Sequence, residues 1–392
     1  YYMMEFFIKG QFMLKKIIYF LGAIFLALIT GLNLIFTASL DNSEHITIST
    51  NGIFYVIGLL ITVFLIFGIN KFLNYKFTNK KKKNLIFKIS IIFYALFNIV
   101  WCIVVRPAIV ADQIHACNLA QTFYSGDDSK FLFNQTYAGI PLIEYIQAYY
   151  QQITLAFVFS LFFKIIHFDG IGILRVLNII GNLGIVFALF KICTQLDKKY
   201  KTNKVLLLFL IFTFFSLTML STFIYGDIPS IALCLFSVYF MMKYVENKKI
   251  SNAILASFLT MIAYMMRMNS LIFIIATVMY LLFSFFNNFK THSLKHNIVE
   301  LIIVFTYILI SILPSNLVKS YYINKYNLDK TKAYPSISYF LMAMEESPRA
   351  NGWYNESIGE PALKNPQEKK VEYVDEIKNR LNYFKDNPRI FF

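Results

Sequence analysis

Long apolar runs recur along this chain, and they constrain its fold more than any other feature. A membrane-spanning helix needs about 20 mainly apolar residues, or somewhat fewer where protein covers its ends. Runs of this kind occupy residues 17–40, 53–73, 85–105, 171–192, 205–222, 229–245, 250–266, 268–286 and 297–316. Apolar residues make up 57% of the 392 residues, which exceeds the share in a soluble globule. We therefore predict an all-α polytopic membrane protein built on a bundle of transmembrane helices.

The positions of the lysines predict which loops face the cytoplasm, because short cytoplasmic loops hold an excess of Lys and Arg. Lysine is concentrated at residues 15–16, 76–83, 198–204, 248–249 and 290–295. The segments between these clusters hold acids instead, among them Asp112 and Asp227. The net charge of +15 thus mostly reflects which loops face the cytoplasm, and a basic inner surface would also attract anionic lipid headgroups. Nucleic acid is excluded as a partner, since the lysines form no single basic stripe.

A further apolar run at residues 153–166 is too short for an ordinary crossing. About 14 residues at a rise of 1.5 Å cover only about 21 Å of a hydrocarbon core near 30 Å. The run 85–105 leads outward, while 171–192 has to lead inward to reach the lysines at 198–204. We therefore expect 153–166 to be an interfacial or re-entrant helix on the outer side. All other runs then alternate, and residues after 317 lie outside.

Polar residues from four separate parts of the sequence converge on this outer face. They are Asp112, Arg175, Asp227, Arg267 and Asn269. An ionisable group at membrane depth costs about 2.5–3.5 kcal/mol on insertion scales, and it usually faces a cavity or a partner. For any one of these residues, a neutralising structural pair or an interface anchor is an equally good explanation. For the whole set, a functional site explains the convergence better.

Two acids and two arginines around an outward cavity fit transfer chemistry on an anionic lipid carrier. An arginine binds phosphate through a planar fork of donors and keeps its charge when it is partly desolvated. An aspartate can act as general base towards a hydroxyl. We accordingly expect Asp112 to take the proton of an acceptor and Arg267, helped by Arg175, to bind the phosphate. Asp227 is expected to orient the acceptor or a metal ion.

Five short motifs follow one another in an order that resembles a known superfamily. They are Arg106-Pro107 with Ala111-Asp112, Tyr149-Tyr150-Gln151-Gln152, Arg175-Val176-Leu177-Asn178, Tyr225-Gly226-Asp227 and Arg267-Met268-Asn269. Over roughly residues 85–320 the chain resembles GT-C glycosyltransferases. The similarity is to the bacterial branch related to the dolichyl-phosphate-mannose protein mannosyltransferases and the lipid A aminoarabinose transferases.

This resemblance implies a reaction, a place and two catalytic residues. Such enzymes take a sugar from a polyprenyl phosphate on the outer face of the cell membrane. They pass it, with inversion, to a glycan, lipid or protein acceptor outside. Their first large external loop carries a catalytic aspartate, which Asp112 matches, and a later external loop often carries a second acid, which Asp227 matches in position.

The sequence also departs from the family pattern in two places. Many relatives have a second acid directly after the catalytic aspartate, whereas Gln113 stands here. This weakens a metal-binding assignment and leaves the base on Asp112 alone, so no cofactor is assigned and a divalent metal stays open. The His-Pro-Pro element of the mannosyltransferase branch is replaced by Tyr149 to Gln152. The identity of the acceptor therefore does not follow from the resemblance.

Six further residues are candidates for binding the acceptor or shaping the site. They are Gln113, His115, Tyr149, Tyr150, Tyr225 and Asn269. His115 lies one turn after Asp112, although a single exposed histidine more often has no direct role. Tyr149 and Tyr150 fit an interfacial aromatic belt first and sugar stacking second. No His, Cys or Asp spacing in the sequence is typical of a zinc site.

The expected domain organisation has three parts. Residues 1–12 are expected to be non-native or disordered. Residues 13–316 form the GT-C-like transmembrane domain with an external catalytic loop at 106–152, and residues 317–392 form a truncated extracytoplasmic segment with a charged helix at 369–385.

Two other functions remain open at this point. A transporter or lipid flippase would also bury charges in a cavity, but transporters commonly carry internal repeats, and no convincing repeat is found here. A polysaccharide polymerase or ligase depends on arginines in a late external loop, where Arg349 has no supporting pattern.

Overall fold

A computed structural model of the protein describes residues 2–41, 46–76, 80–129, 141–197, 204–289, 293–347 and 354–387. The helices are α1 (Tyr2–Ile35), α2 (Ile53–Lys76), α3 (Lys80–Val104), α4 (Asp112–Ser125), α5 (Leu142–Ala148), α6 (Gln152–Ile166), α7 (Ile171–Asp197), α8 (Lys204–Thr213), α9 (Ser216–Met219), α10 (Asp227–Asn247), α11 (Ile250–Met266), α12 (Leu271–Asn288), α13 (Leu294–Lys325), α14 (Ile337–Met344), α15 (Glu356–Lys364) and α16 (Pro366–Asp386). Short 3₁₀ helices occupy Leu220–Thr222, Met268–Ser270 and Lys330–Lys332. Strands β1 (Phe36–Leu40) and β2 (Ile46–Thr50) form an antiparallel hairpin.

Five helical segments in the described residues are long and apolar enough to cross a membrane. They are Leu85–Val104, Ile171–Leu196, Asp227–Asn247, Met268–Phe286 and Leu294–Lys325. Four shorter apolar helices accompany them at Tyr19–Ile35, Ile53–Ile69, Gln152–Ile166 and Ile250–Met266. The prediction of an all-α polytopic membrane protein is confirmed.

The apolar run 205–222 does not form the single helix expected of it. Helix α8 ends at Thr213, and the chain continues through α9 and a 3₁₀ turn. Two buried asparagines on α7 pair with the irregular segment that follows. Asn182 donates to the Leu217 carbonyl at 2.8 Å, and Asn178 donates to the carbonyls of Ser221 at 3.1 Å and Phe223 at 2.8 Å. These amides satisfy carbonyl groups that a continuous helix would have paired internally.

Three other expected boundaries also shift. The first apolar run, expected to extend to residue 40, is helical only to Ile35 and then enters β1. Residues 2–12, expected to be non-native or disordered, are helical as part of α1. Helix α13 continues past residue 316 to Lys325, so the expected domain boundary falls inside a helix. The charged helix expected at 369–385 is present as α16.

The chain divides into two compact units. The first contains residues 1–8, 63–145 and 151–325, and the second contains 9–62, 146–150 and 326–392.

In the first unit, α10 packs closely on α7 because two glycines of α7 leave room. A Cβ on Gly181 would lie 3.0 Å from the Pro229 nitrogen, and one on Gly184 would lie 3.2 Å from the Ala232 Cβ. Small residues of this kind let membrane helices approach, and this contact fixes the beginning of α10.

Polar side chains join three helices inside the first unit. The Thr260 hydroxyl of α11 donates to the Ser237 hydroxyl of α10 at 2.6 Å and lies 3.1 Å from the Tyr307 hydroxyl of α13. Ser237 in turn donates to the Ala256 carbonyl at 2.9 Å. Because hydrogen bonds between membrane helices have no competing water, they help hold α10, α11 and α13 together.

The second unit has its own small core in its C-terminal part. That core contains Tyr334, Leu341, Met342, Ile358, Ala362 and Tyr373. Residues 146–150 pack with it: the Tyr334 amide donates to the Ala148 carbonyl at 2.9 Å, and the Tyr149 and Tyr334 ring centres lie 5.4 Å apart. The Asp329 amide also donates to the Gln147 side chain at 3.1 Å. A stretch from the middle of the sequence therefore belongs to the same unit as the C-terminal part.

Candidate functional site

Asp112 is the first residue of α4 and follows an unusual backbone conformation. Ala111, the preceding residue, has φ 49° and ψ −133°, a region that L-amino acids rarely adopt. A conformation of this kind costs of order 1–3 kcal/mol and tends to occur at functional sites. The positive end of the helix dipole stabilises a carboxylate at a helix N-terminus. Asp112 is thus held at a favourable but locally strained position, and it is exposed.

Two tyrosines hold the Asp112 carboxylate from either side. The Tyr145 hydroxyl donates to Oδ1 at 2.6 Å, and the Tyr225 hydroxyl donates to Oδ2 at 2.8 Å. The side-chain amide of Gln152 donates to the Tyr225 hydroxyl in turn. We call these four residues the carboxylate clamp. Each carboxylate oxygen has two lone pairs, so the clamp orients Asp112 and leaves it able to accept a further proton donor.

Burial and the charge of Asp112 determine the protonation states of Tyr225 and His115. Burial, reinforced by the negative charge of Asp112, raises the pKa of the Tyr225 hydroxyl, which therefore stays protonated and keeps donating. Burial lowers the pKa of His115, although the charge of Asp112 opposes this shift. His115 is buried, and its ring centre lies 3.9 Å from that of Tyr145. Uncharged His115 therefore supports the ring of Tyr145.

Gln113 supports the loop that carries Tyr225. Its side chain is buried, and its Oε1 accepts a hydrogen bond from the Ile224 amide at 2.9 Å. The next residues, Tyr225 and Gly226, lead directly into α10. The residue that replaces the second acid of many relatives therefore ties the beginning of α4 to this loop. The described residues contain no cluster of three or more His, Cys, Asp or Glu side chains that could hold a metal ion.

Arg267 and Asp227 form an ion pair on the other side of Tyr225. Arg267 Nε lies 2.8 Å from Asp227 Oδ1, and both side chains are about a quarter exposed, at 25% and 28%. The guanidinium carbon lies 4.3 Å from the centre of the Tyr225 ring, a cation–π contact. The helix is interrupted at Arg267, where the backbone is extended between α11 and a 3₁₀ turn. Tyr225 therefore belongs to the carboxylate clamp and also contacts the charged pair.

Gly226 makes this arrangement of Tyr225 and Asp227 sterically accessible. Its φ is +80°, a left-handed conformation that favours glycine. A Cβ there would lie 2.8 Å from Leu155 Cδ1 and 3.2 Å from the Met266 carbonyl oxygen. Close packing and the positive φ together therefore favour glycine at the centre of the Tyr-Gly-Asp motif.

The remaining predicted residues make other contacts. Arg175 donates to the Pro107 carbonyl at 2.8 Å, so its described contact holds the segment that leads to Asp112. Tyr149 packs in the second unit. Tyr150 is half-buried, and Asn269 is exposed in the 3₁₀ turn after Arg267. The expected role of Arg175 beside Arg267 thus receives no support from its described contact.

Two residues of the clamp were not singled out by the sequence patterns. Gln152 ends a quoted motif, but its Tyr225 partner lies far away in the sequence. Tyr145 lies in an apolar helical pattern, where a tyrosine is usually a packing residue. The only available signal for either was proximity to the motif at 149–152.

An apolar cavity of about 650 Å³ lies among helices α6, α7, α10, α11 and α13. Its walls are aliphatic, aromatic and methionine side chains, among them Leu161, Ile180, Phe236 and Met265. They also include Pro229 and Met266, which lie two residues after Asp227 and directly before Arg267. The cavity therefore reaches the two chain segments that carry the ion pair.

One comparison with known families matches part of this region. Residues 151–315, somewhat under half of the chain, match the family model described as dolichyl-phosphate-mannose-protein mannosyltransferase. The matched range includes Gln152, Tyr225, Asp227 and Arg267, and it begins after Asp112. The GT-C resemblance is thereby confirmed. No curated protein and no solved structure gives a significant match to the chain.

Proposed function

We propose that the chain transfers a sugar from a polyprenyl phosphate to an extracytoplasmic acceptor with inversion, and the family match over residues 151–315 supports a membrane glycosyltransferase of the GT-C type. The observation that carries this proposal is the position of Tyr225. Its hydroxyl donates to Asp112 while its ring faces Arg267. A candidate base and a candidate phosphate ligand thus lie on either side of one side chain.

Asp112 is proposed as the general base. Tyr145 and Tyr225 donate to its two oxygens and fix the plane of the carboxylate before an acceptor arrives. The acceptor hydroxyl gives its proton to Asp112 as its oxygen bonds to the anomeric carbon of the sugar. The bond from that carbon to the phosphate oxygen breaks, and the electron pair leaves with the phosphate. Attack opposite the leaving group inverts the anomeric centre.

Arg267 is proposed to bind the phosphate of the donor, with Asp227 as its orienting partner. A guanidinium has five N–H donors in a planar fork, and the described ion pair engages Nε. The remaining donors can form the bidentate contact that a phosphate favours. This role is added to the one expected for Asp227, which was to orient the acceptor or a metal ion, because its described contact is with Arg267.

The apolar cavity is proposed to take the beginning of the polyprenyl chain. Its described walls are hydrocarbon and aromatic side chains, and they include Pro229 and Met266 beside the ion pair. Burial of each isoprenoid CH₂ or CH₃ group contributes roughly 0.8 kcal/mol where water is displaced. A phosphate at Arg267 with its lipid in this cavity would leave the sugar on the side of Tyr225.

Transfer assays in reconstituted membranes test this proposal. Asp112→Asn keeps the shape and removes the base, so transfer from polyprenyl-phosphate sugars should fall by about 10² to 10⁴ while donor binding persists. Asp127→Asn, an exposed aspartate just after α4, is the matched control and should keep full activity. Full activity in Asp112→Asn would eliminate the mechanism.

Donor binding, measured separately with a radiolabelled polyprenyl-phosphate sugar, tests the second half. Arg267→Lys keeps a charge and loses the fork, so donor affinity should fall. Unchanged donor binding would remove Arg267 from the phosphate site. Movement of the lipid-linked sugar across the bilayer without covalent transfer would favour the lipid flippase alternative instead.

A further inference from the structure

Helix α16 of the second unit exposes a stripe of aliphatic and basic side chains. Val371, Val374, Lys378, Leu381 and Lys385 follow one another at alternating steps of three and four residues, which places them on one face of a helix. Their aliphatic members are well exposed: Val371 at 68%, Val374 at 39% and Leu381 at 53%. A helix that packs only inside its own unit has no need of aliphatic residues on its solvent face.

The adjacent face of α16 anchors the helix to the core of the second unit. Tyr373 is buried in the core of the second unit and donates to the Ile358 carbonyl at 2.7 Å, and Ile377 packs against the same core. The Arg380 Nε donates to the Met344 carbonyl at 2.8 Å. These contacts fix the rotation of the helix about its axis. The stripe lies beside this anchored face, and the exposed fractions of Val371, Val374 and Leu381 show that this core does not cover it.

Charge on the stripe has one sign. Lys370, Lys378 and Lys385 lie on it or beside it, and at helical spacing the acids of α16 other than Asp375 fall on other sides of the helix. Asp375 flanks the stripe and pairs with Lys378 at 2.8 Å, but both side chains are about two-thirds exposed, so this pair contributes little. The stripe thus offers lysines and hydrocarbon together.

This combination distinguishes two kinds of anionic partner. A soluble polyanion would attract the lysines, but it would leave Val371, Val374 and Leu381 in water. The surface of an anionic bilayer takes both, because lysines reach the headgroups while aliphatic side chains enter the boundary with the acyl chains. The pattern therefore favours a lipid surface.

Chain continuity keeps the C-terminal part of the second unit near a membrane. This part begins at Tyr326, directly after the candidate span Leu294–Lys325. Residues 146–150, which pack with its core, are joined at both ends to the first unit. The core is therefore connected at three points in the sequence to a unit that carries all five candidate spans. Such tethering raises the effective concentration of the helix at the bilayer.

We propose that the stripe of α16 binds the surface of an anionic bilayer. Val371, Val374 and Leu381 enter the interface, and Lys370, Lys378 and Lys385 contact lipid phosphates. This inference does not depend on the proposed sugar transfer, and its test reads membrane contact rather than activity.

The test uses the full chain in phosphatidylcholine vesicles with and without phosphatidylglycerol. Cys102 and Cys193 are first replaced by serine, and Val374→Cys is then labelled with an environment-sensitive fluorophore. Asn379→Cys, exposed on another side of α16, is the matched control. We expect a blue shift of emission at position 374 when phosphatidylglycerol is present, and none at position 379. Leu381→Cys should repeat the result at a second position on the stripe.

Two further measurements separate the causes of that shift. Replacing Lys370, Lys378 and Lys385 by glutamine should abolish it, with circular dichroism showing an unchanged helix content. Salt of about 1 M, which shortens the Debye length to about 3 Å, should weaken it. Equal emission in both kinds of vesicle would overturn the proposal. It would also be overturned by equal shifts at positions 374 and 379, or by a shift produced only by an added soluble polyphosphate.

Discussion

Tyr225→Phe is the most informative single change at the site, because it removes one atom and keeps the ring. The lost hydroxyl donates to Asp112 at 2.8 Å and accepts a hydrogen bond from Gln152. The cation–π contact with Arg267 remains, since it depends on the ring. The change therefore separates the carboxylate clamp from the charged pair.

The expected size of the effect follows from the kind of bond lost. A hydrogen bond to a charged group contributes about 1.5–3 kcal/mol. If the clamp holds Asp112 in its reactive orientation, losing this bond raises the activation free energy of transfer by the same amount. The value of kcat then falls by roughly 10- to 150-fold, since about 1.4 kcal/mol corresponds to tenfold. Donor affinity should stay the same. Tyr225→Leu, which also removes the ring beside Arg267, should weaken donor binding as well.

The assay is single-turnover sugar transfer in reconstituted membranes, with donor binding measured in parallel. Tyr239→Phe, on α10 with its described ring contacts to Phe240 and Lys243, is the control for a lost tyrosine hydroxyl. Tyr145→Phe should have a similar effect, and the double variant should lose less than the sum, because both hydroxyls orient one carboxylate. Unchanged kcat in Tyr225→Phe, or a loss confined to donor binding, would refute the reasoning.

The remaining predictions concern stability, pH and topology. Gly226→Ala should destabilise the protein by about 2–4 kcal/mol, since the added Cβ meets Leu155 and the positive φ disfavours alanine; an unchanged thermal midpoint in detergent would contradict the packing argument. The pKa of His115 is lower in the folded protein than in the unfolded chain, so the unfolded chain binds more protons. The contribution of His115 to the free energy of unfolding should therefore be full above about pH 6.5 and fall as the pH drops below it. Denaturant titrations at pH 7.5 and 5.5 should show this fall, and His115→Gln should make it smaller. An impermeant thiol reagent applied to intact cells should label Asp127→Cys but not Lys249→Cys, and the reverse pattern would invert the proposed topology.

The charged residues of the candidate site carry a local signal in the sequence. Asp112, Asp227 and Arg267 each interrupt or border an apolar run, where an ionisable group is costly. The side chains that join them carry no such signal. Tyr145 becomes recognisable only when α5 brings its hydroxyl to Asp112, and an isolated tyrosine in an apolar helix has many packing explanations.

Arg175 and the run 205–222 show the other limit of sequence reasoning. The described hydrogen bond of Arg175 goes to the Pro107 carbonyl, a partner that depends on the path of the chain rather than on charge. The irregular segment after Thr213 shows the same limit. Asn178 and Asn182 are unremarkable in a helical pattern, yet their amides pair with the carbonyls of Ser221, Phe223 and Leu217. Hydropathy reports how strongly a segment favours an apolar environment, and it contains no information about which hydrogen-bond partners its residues find.

The second unit is discontinuous in sequence, and this affects how the protein can vary. Residues 146–150 pack with the C-terminal core through Ala148 and Tyr149, and the residues on either side of them include Tyr145 and Gln152 of the clamp. A chain cut after Lys325 would keep this stretch but lose the surface on which it folds. The C-terminal part is therefore no interchangeable module. Shuffling it between relatives would demand matching changes at 146–150, so the two regions are expected to diverge together.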